Sequence, residues 1–202
     1  MNFPTRFVRA LAPIAILAAA VPATAAESPD LGMFRAHLAA VQSMTANFVQ
    51  TDARGRSAAG TLQLKKPGRI RFQYGSGDLL LVADGRQLWY LDYQVGQKNH
   101  WDLNKTPLGV LLSATPDLKN NARVMPSNDP RVVVVRARDA QQFGMLVLAF
   151  IREPGAPGGL KLYGWTAIDP QHKRTTVKLT DQRYNVALPD SAFTYVEPKK
   201  RR

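Results

Sequence analysis

The feature that most constrains the fold of this chain is a regular alternation of apolar and polar residues between positions 61 and 74. The apolar residues all stand at even positions: Leu62, Leu64, Ile70, Phe72 and Tyr74. Their odd-numbered neighbours are polar or charged. Because successive side chains of a β-strand point to opposite faces, this pattern predicts two strands with one apolar face and one solvated face. The Pro67-Gly68 pair predicts a turn between them.

The same two-residue period recurs along most of the chain, with short turns between the periodic segments. Asp84-Gly85 is a strong hairpin signal between two of them. The segments predicted as strands are residues 44–50, 60–66, 69–74, 79–84, 87–92, 97–103, 132–137, 145–151, 160–168 and 175–180. Strands at this spacing, without alternating helices, predict an antiparallel meander that forms either a barrel or a sandwich.

Two segments have a helical period instead. In the first, Ser28 suits an N-cap and Pro29 the first helical position. Its apolar residues share one helical face: Leu31, Phe34, Leu38 and Val41. In the second, over residues 106–113, Thr106 suits the cap and Pro107 the first position. Its leucines also share a face: Leu108, Leu111 and Leu112. The pattern as a whole therefore predicts a mainly β fold with a few short helices.

The apolar face of the predicted sheet has two interpretations. Two short helices cover a wide sheet incompletely, which leaves room for an apolar cavity or an apolar guest. The alternative interpretation is that the same residues form an ordinary filled core. Alternation alone leaves both interpretations open.

The N-terminal segment is predicted to be a cleaved secretory signal peptide over residues 1–26. Arg6 and Arg9 precede a short apolar run, and small residues follow at 23–26. The remaining residues, 27–202, are predicted to form a single domain. The sequence contains no cysteine, so we expect neither disulfides nor thiol chemistry, and we do not expect the protein to be a lipoprotein itself.

The formal net charge is +12, a value that suggests nucleic acid for a cytosolic protein. Predicted export argues against a nucleic-acid partner. An acidic protein partner, an anionic membrane surface or solubility alone remain as interpretations, and the densest basic patch is at residues 199–202. The three histidines, His37, His100 and His172, lack metal-ligand spacing, so no metal is expected.

The sequence does not favour an enzyme. It contains no nucleophile elbow, no glycine-rich phosphate loop before a helix and no His-Glu-x-x-His motif. Asp169 and His172 are close in sequence, but residues 169–172 are typical of a hairpin turn. Two carboxylates that meet only in three dimensions remain possible, and a periplasmic hydrolase stays the alternative in which Asp169 and His172 act together. We predict no catalysis and no cofactor.

Five ordered segments behind the signal peptide resemble a known family. They are residues 43–50, 60–69, 82–90, 106–112 and 185–198, the last of which contains Phe193 and Pro198. Together they resemble the LolA family of periplasmic outer-membrane lipoprotein carriers. The resemblance covers essentially the whole predicted mature chain in the same order.

The resemblance implies an incomplete, unclosed antiparallel β-barrel with a helical lid over an apolar cavity. It implies a periplasmic carrier that accepts lipoproteins from an ATP-driven inner-membrane transporter, an ABC transporter, and shields their acyl chains. The carrier then delivers its cargo to an outer-membrane receptor. A monomer without catalytic activity or cofactor is expected. A related protein that carries another lipid, or a receptor-like acceptor of lipoproteins, is the alternative.

The resemblance also implies roles for particular residues. The acyl-chain cavity is expected to be lined by Leu62, Leu64, Ile70, Phe72 and Trp89. The lid is expected to contain Leu108, Leu111 and Leu112. In the family an arginine before the Pro67 position bonds backbone carbonyls of the lid. Here Lys66 stands at that position, so we expect Lys66, or else Arg69 or Arg71, to act as the latch. The alternative is that Lys66 is only an exposed charge at the end of the strand.

Overall fold

A computed structural model describes residues 28–75, 77–106, 108–116, 118, 121–138, 144–169 and 171–199. The predicted signal peptide, Pro107 and all of the basic tail except Lys199 lie outside the described residues. Within the described residues, no helix is long and apolar enough to cross a bilayer.

The described chain forms one antiparallel sheet of eleven strands with two α-helices. Helix α1 spans Pro29–Ala40 and helix α2 spans Gly109–Leu112. The strands are β1 Ser43–Thr51, β2 Ser57–Lys65, β3 Arg69–Tyr74, β4 Leu79–Asp84, β5 Gln87–Asp92, β6 Gln97–Asp102, β7 Ala122–Met125, β8 Val132–Arg138, β9 Met145–Arg152, β10 Leu160–Ile168 and β11 Arg174–Tyr184. Three short 3-10 helices occupy Leu103–Lys105, Pro157–Gly159 and Asp190–Phe193.

The strand order is β6-β5-β4-β3-β2-β1-β11-β10-β9-β8-β7, so β6 and β7 are the free edges of the sheet. The predicted fold class, mainly β and antiparallel with an unclosed sheet, is confirmed. Ten strands lie where the alternation predicted them, and β11 is several residues longer than predicted. Strand β7 was not predicted, because four residues are too few to display a period.

The sheet is strongly curved. Phe72 on β3 and Trp165 on β10 are separated by three intervening strands, which corresponds to roughly 19 Å in a flat sheet. Their ring centroids are only 6.0 Å apart. We call the concave side, which carries both rings, the inner face, and the opposite side the outer face.

Helix α1 covers part of the inner face and buries Phe34, His37 and Leu38. Its start agrees with the prediction, because the Ser28 hydroxyl accepts a hydrogen bond from the Leu31 N–H. The turn at Gly158 approaches the helix closely, since a Cβ added there would lie 2.3 Å from the His37 nitrogen. Only glycine tolerates this contact together with the positive φ at Gly158.

Helix α2 is shorter than predicted, and its start differs from the prediction. Leu108 occupies the N-cap position without a side-chain cap, whereas Thr106 was expected there. The Thr106 hydroxyl instead donates to the Leu103 carbonyl oxygen at 2.8 Å. Thr106 therefore ends the preceding 3-10 helix, and α2 begins three residues later, at Gly109.

The chain after β11 returns across the outer face of the sheet. We call residues 188–197 the C-terminal strap. Phe193 of the strap is buried together with Leu80, Val82 and Leu91 in a second, smaller apolar cluster. The outer face near β4 and β5 is therefore covered, although the simple alternation in β2 and β3 predicted a solvated outer face.

Candidate functional site

Four of the five residues predicted to line the cavity share the inner face. Leu62 and Leu64 on β2 lie directly opposite Phe72 and Ile70 on β3. None of the four is more than 3% exposed. The β-strand register explains this arrangement, because even-numbered positions on both strands point to the same side.

The leucines predicted for the lid pack into the same buried cluster. Leu111 and Leu112 are buried, and Leu108 is partly buried against them. A backbone hydrogen bond also joins helix α2 to the turn between β2 and β3, where the Gly68 N–H donates to the Leu112 carbonyl oxygen at 3.0 Å. The structure thus brings the predicted wall and the predicted lid together as a packed apolar interior.

Trp89 does not join this interior, and its predicted place was wrong. It lies opposite Val82 and His100 on the outer face, and it packs against the C-terminal strap. Its indole N–H donates to the Asp84 carboxylate at 3.0 Å, and its ring lies 5.6 Å from that of Tyr195. The position of Trp89 in β5 indicates the outer face. Its neighbour Leu88 pairs with Ala83 on the inner face, and successive residues of a strand point to opposite faces.

Lys66 points toward the inner side and bonds a helix carbonyl. Its ammonium donates to the Leu38 carbonyl oxygen near the end of α1, and its backbone N–H donates to the Gln42 carbonyl oxygen at 2.8 Å. Burial lowers the pKa of Lys66 to about 8. Lys66 therefore contacts α1, and within the described residues its ammonium forms no hydrogen bond to α2, where the predicted lid leucines lie.

Arg69 and Arg71 both bond the C-terminal strap. Arg69 forms an ion pair with Asp190 in the C-terminal strap, and Lys65 joins the same carboxylate at 2.7 Å. Arg71 donates to the Thr194 carbonyl oxygen of the strap at 2.9 Å. Their odd positions place both arginines on the outer face, so the prediction of Arg69 as a latch was wrong.

His37 is a buried residue at this site that sequence reasoning did not identify. Its Nδ1 lies 2.8 Å from the Pro157 carbonyl oxygen, and its ring packs edge-on against Phe150 and Tyr184. Burial lowers the pKa of His37 below its usual 6.5, so the Nδ1–H of the neutral ring donates this bond. The available signal was its spacing, three residues after Phe34 on the apolar stripe of α1.

Asp169 and His172 form the predicted turn. The Asp169 carboxylate accepts a hydrogen bond from the Lys173 N–H at 2.8 Å, and the His172 N–H donates to the Asp169 carbonyl oxygen at 2.9 Å. His172 is exposed and has a positive φ of 63°. This geometry is that of a side-chain-stabilised hairpin turn between β10 and β11.

Comparison with known proteins identifies the family. The family model "Outer membrane lipoprotein carrier protein LolA" matches residues 39–196. An outer-membrane lipoprotein carrier protein of Legionella pneumophila (strain Corby) is 30% identical over 179 residues, which cover 83% of this chain and 85% of the relative. The corresponding protein of Chromobacterium violaceum is 24% identical over 208 residues and covers 88% of each chain.

Among solved structures, a LolA superfamily protein from Nitrosomonas europaea aligns with 12% identity and a TM-score of 0.49, over 82% of this chain and 97% of that one. The sequence matches carry the assignment, because the family model spans most of the chain from the end of α1 to the C-terminal strap. This chain belongs to the LolA family of outer-membrane lipoprotein carrier proteins.

Proposed function

We propose that this protein is a periplasmic carrier that shields the acyl chains of lipoproteins against the inner face of its sheet. The observation that supports this most is the shared apolar interior of the sheet and helix α2. Leu64 and Ile70 on the sheet belong to the same buried cluster as Leu111 and Leu112. Acyl chains that replaced α2 would meet a surface that is already apolar.

The two helices are held differently, which supports α2 as the part that moves. Helix α1 is tied at both ends, by the Asp30–Arg152 ion pair at 2.6 Å and by the Asn185 side chain, which donates to the Ala40 carbonyl oxygen at 3.0 Å. Within the described residues, the hydrogen bond that connects α2 to the sheet region is the backbone bond between Gly68 and Leu112. We infer that α2 opens while α1 stays in place.

Competition between α2 and the cargo would allow release. Each buried CH₂ group contributes about 0.8 kcal/mol, so the acyl chains of a lipoprotein would bind almost irreversibly to a fully open apolar surface. Binding that first requires Leu111 and Leu112 to leave their sites is weakened by the free energy of that opening. A carrier needs this weakened binding because it must release its cargo as well as bind it.

The remaining parts of the proposal come from the family. Cargo is accepted from an ATP-driven transporter of the inner membrane and passed to a receptor on the outer membrane. Residues 1–26 direct export to the periplasm and are removed. The carrier acts as a monomer and needs no cofactor.

A release assay tests the proposal. Inner-membrane vesicles that contain a lipoprotein and its transporter are incubated with the purified protein and ATP. We expect a soluble complex of carrier and lipoprotein that depends on both ATP and the transporter. Lipoprotein that stays in the membrane fraction would contradict the proposal. Mass spectrometry of lipids extracted from the native protein separates this function from carriage of a different lipid.

A further inference from the structure

The outer face at the middle of the sheet carries a row of unpaired cations. Arg174, Lys178 and Arg183 on β11 are all exposed. Within the described residues, none of their side chains forms an ion pair or a hydrogen bond. The first and last are nine positions apart, which corresponds to about 30 Å along a strand.

The carboxylates near these cations already have partners: Asp169, which follows Ile168 opposite Arg174, accepts a hydrogen bond from the Lys173 N–H at 2.8 Å. The neighbouring strands β1, β2 and β10 contain no Asp or Glu. Asp181 on β11 accepts a hydrogen bond from the Asn47 amide at 2.8 Å, and Glu153 lies 3.7 Å from Lys161. The middle of the outer face therefore has an excess of positive charge.

Two large apolar side chains flank the same row. Val49 on β1 is 45% exposed and lies directly opposite Lys178. Tyr163 on β10 is also 45% exposed, and its neighbour Gly164 pairs with Lys178 from the other side. Tyr163 also lines a shallow surface depression of about 310 Å³, whose lining includes Lys161, Thr180 and the carboxylates of Glu153 and Asp181. Cations with an exposed tyrosine beside them are typical of surfaces that meet a membrane interface.

The shape of the sheet selects the kind of partner. Strands β1 and β11 lie in the middle of the strand order, and the sheet curves toward its inner face. Their outer faces therefore form a convex ridge. A flat surface touches such a ridge along a line, and widely spaced cations bind an anionic bilayer without shape complementarity. A stable protein partner would need about 800 Å² on each side, which a line of contact does not supply.

We propose that the basic ridge, defined by Arg174, Lys178, Arg183, Val49 and Tyr163, docks the protein on the surface of an anionic phospholipid bilayer. This activity goes beyond lipoprotein carriage. The inner face lies on the opposite side of the sheet and remains free for cargo. Docking would hold the carrier close to the membrane surface at which cargo is exchanged.

Vesicle co-sedimentation of the purified protein, without any lipoprotein, tests this proposal. We expect binding at low salt to vesicles that contain phosphatidylglycerol, and loss of binding to vesicles of phosphatidylcholine alone or at high salt. The double variant Arg174→Ser, Lys178→Ser should bind roughly 25-fold more weakly, since each cation near the surface contributes about fivefold. Tyr163→Ser should weaken binding by a smaller factor.

The matched control removes two cations elsewhere on the outer face. Arg123 and Arg136 lie opposite each other at the β7 edge and form no ion pair within the described residues. The variant Arg123→Ser, Arg136→Ser has the same net charge as the ridge variant, and we expect nearly unchanged binding. Equal loss in both variants, or no binding of the wild-type protein to anionic vesicles, would overturn the proposal. Either result would leave lipoprotein carriage untouched, because the assay contains no cargo.

Discussion

The ammonium of Lys66 donates a hydrogen bond to the backbone carbonyl oxygen of Leu38. Leu38 lies in the last turn of α1, whose final carbonyl groups have no partner within the helix. A cation at the C-terminal end of a helix also interacts favourably with the helix dipole. Lys66 therefore joins the turn after β2 to α1, and this contact requires only one donor.

Burial of Lys66 predicts an unusual dependence of stability on pH. Its pKa is about 8 in the folded protein, against 10.5 for an exposed lysine. Between these values the unfolded chain binds more protons than the folded one, so the free energy of unfolding rises with pH. We expect wild type to gain stability relative to Lys66→Met across this range, by less than the roughly 3 kcal/mol of a fully buried group, because solvent screens the partly exposed ammonium. Urea unfolding at several pH values measures this difference, and parallel curves for the two proteins would contradict it.

Burial of His37 predicts a loss of stability at the acidic end of the pH range. Its folded pKa is lowered by burial, so below pH 6.5 the unfolded chain takes up a proton that the folded protein does not. Stability should therefore fall as the pH drops below 6.5. In His37→Asn, whose amide retains a donor toward the Pro157 carbonyl oxygen, this part of the acid sensitivity should disappear. Identical pH profiles for the two proteins would show that His37 does not titrate in this way.

If α2 opens independently of the sheet, truncation of two buried leucines should reduce the global stability by different amounts. Leu64 on β2 and Leu112 on α2 are both almost completely buried. We expect Leu64→Ala to cost about 2–5 kcal/mol of global stability. Leu112→Ala should cost clearly less, because part of its effect falls on a local opening, and hydrogen exchange should rise at 109–112. Equal global losses and unchanged exchange would mean that α2 unfolds only with the sheet.

The hydrogen bonds that hold the C-terminal strap on the outer face predict that their loss exposes the strap to proteolysis. Arg71 donates to the Thr194 carbonyl oxygen, and Tyr93 donates to that of Val196 at 3.0 Å. Arg71→Ala should destabilise the strap by about 1–3 kcal/mol and increase proteolysis after residue 188. Arg123→Ala, far from the strap, serves as the control. Unchanged cleavage of Arg71→Ala would contradict this role and indicate that the other strap contacts, among them buried Phe193 and the Asp190 ion pairs, suffice to fix the strap.

The sheet could be predicted because its strands are long enough to show a two-residue period. That period correctly placed Leu62, Leu64, Ile70 and Phe72 on one face. The outer face was harder to predict, because β4 is apolar on both faces and its outward Leu80 and Val82 are covered by a distant segment. Periodicity contains no information about a strap that arrives about a hundred residues later in the chain.

The latch could be predicted only in part. The even position of Lys66 correctly predicted that it points inward, whereas the helix that it meets depends on how α1 crosses the sheet. Arg69 was misassigned although its odd position indicated the outer face, where Asp190 pairs with it. Trp89 was also misplaced although its odd position in β5 indicated the outer face. The parity of each residue in its strand was therefore a better guide than its chemical type.

Site-specific photo-crosslinking shows which face of the sheet holds the acyl chains. A photoreactive phenylalanine analogue is introduced at Phe72 on the inner face or at Trp89 on the outer face, and each carrier is irradiated after it has been loaded with lipoprotein. Binding of the acyl chains on the inner face predicts adducts with them from position 72 and none from position 89. Adducts from position 89, or none from position 72 in a loaded carrier, would contradict acyl-chain binding on the inner face.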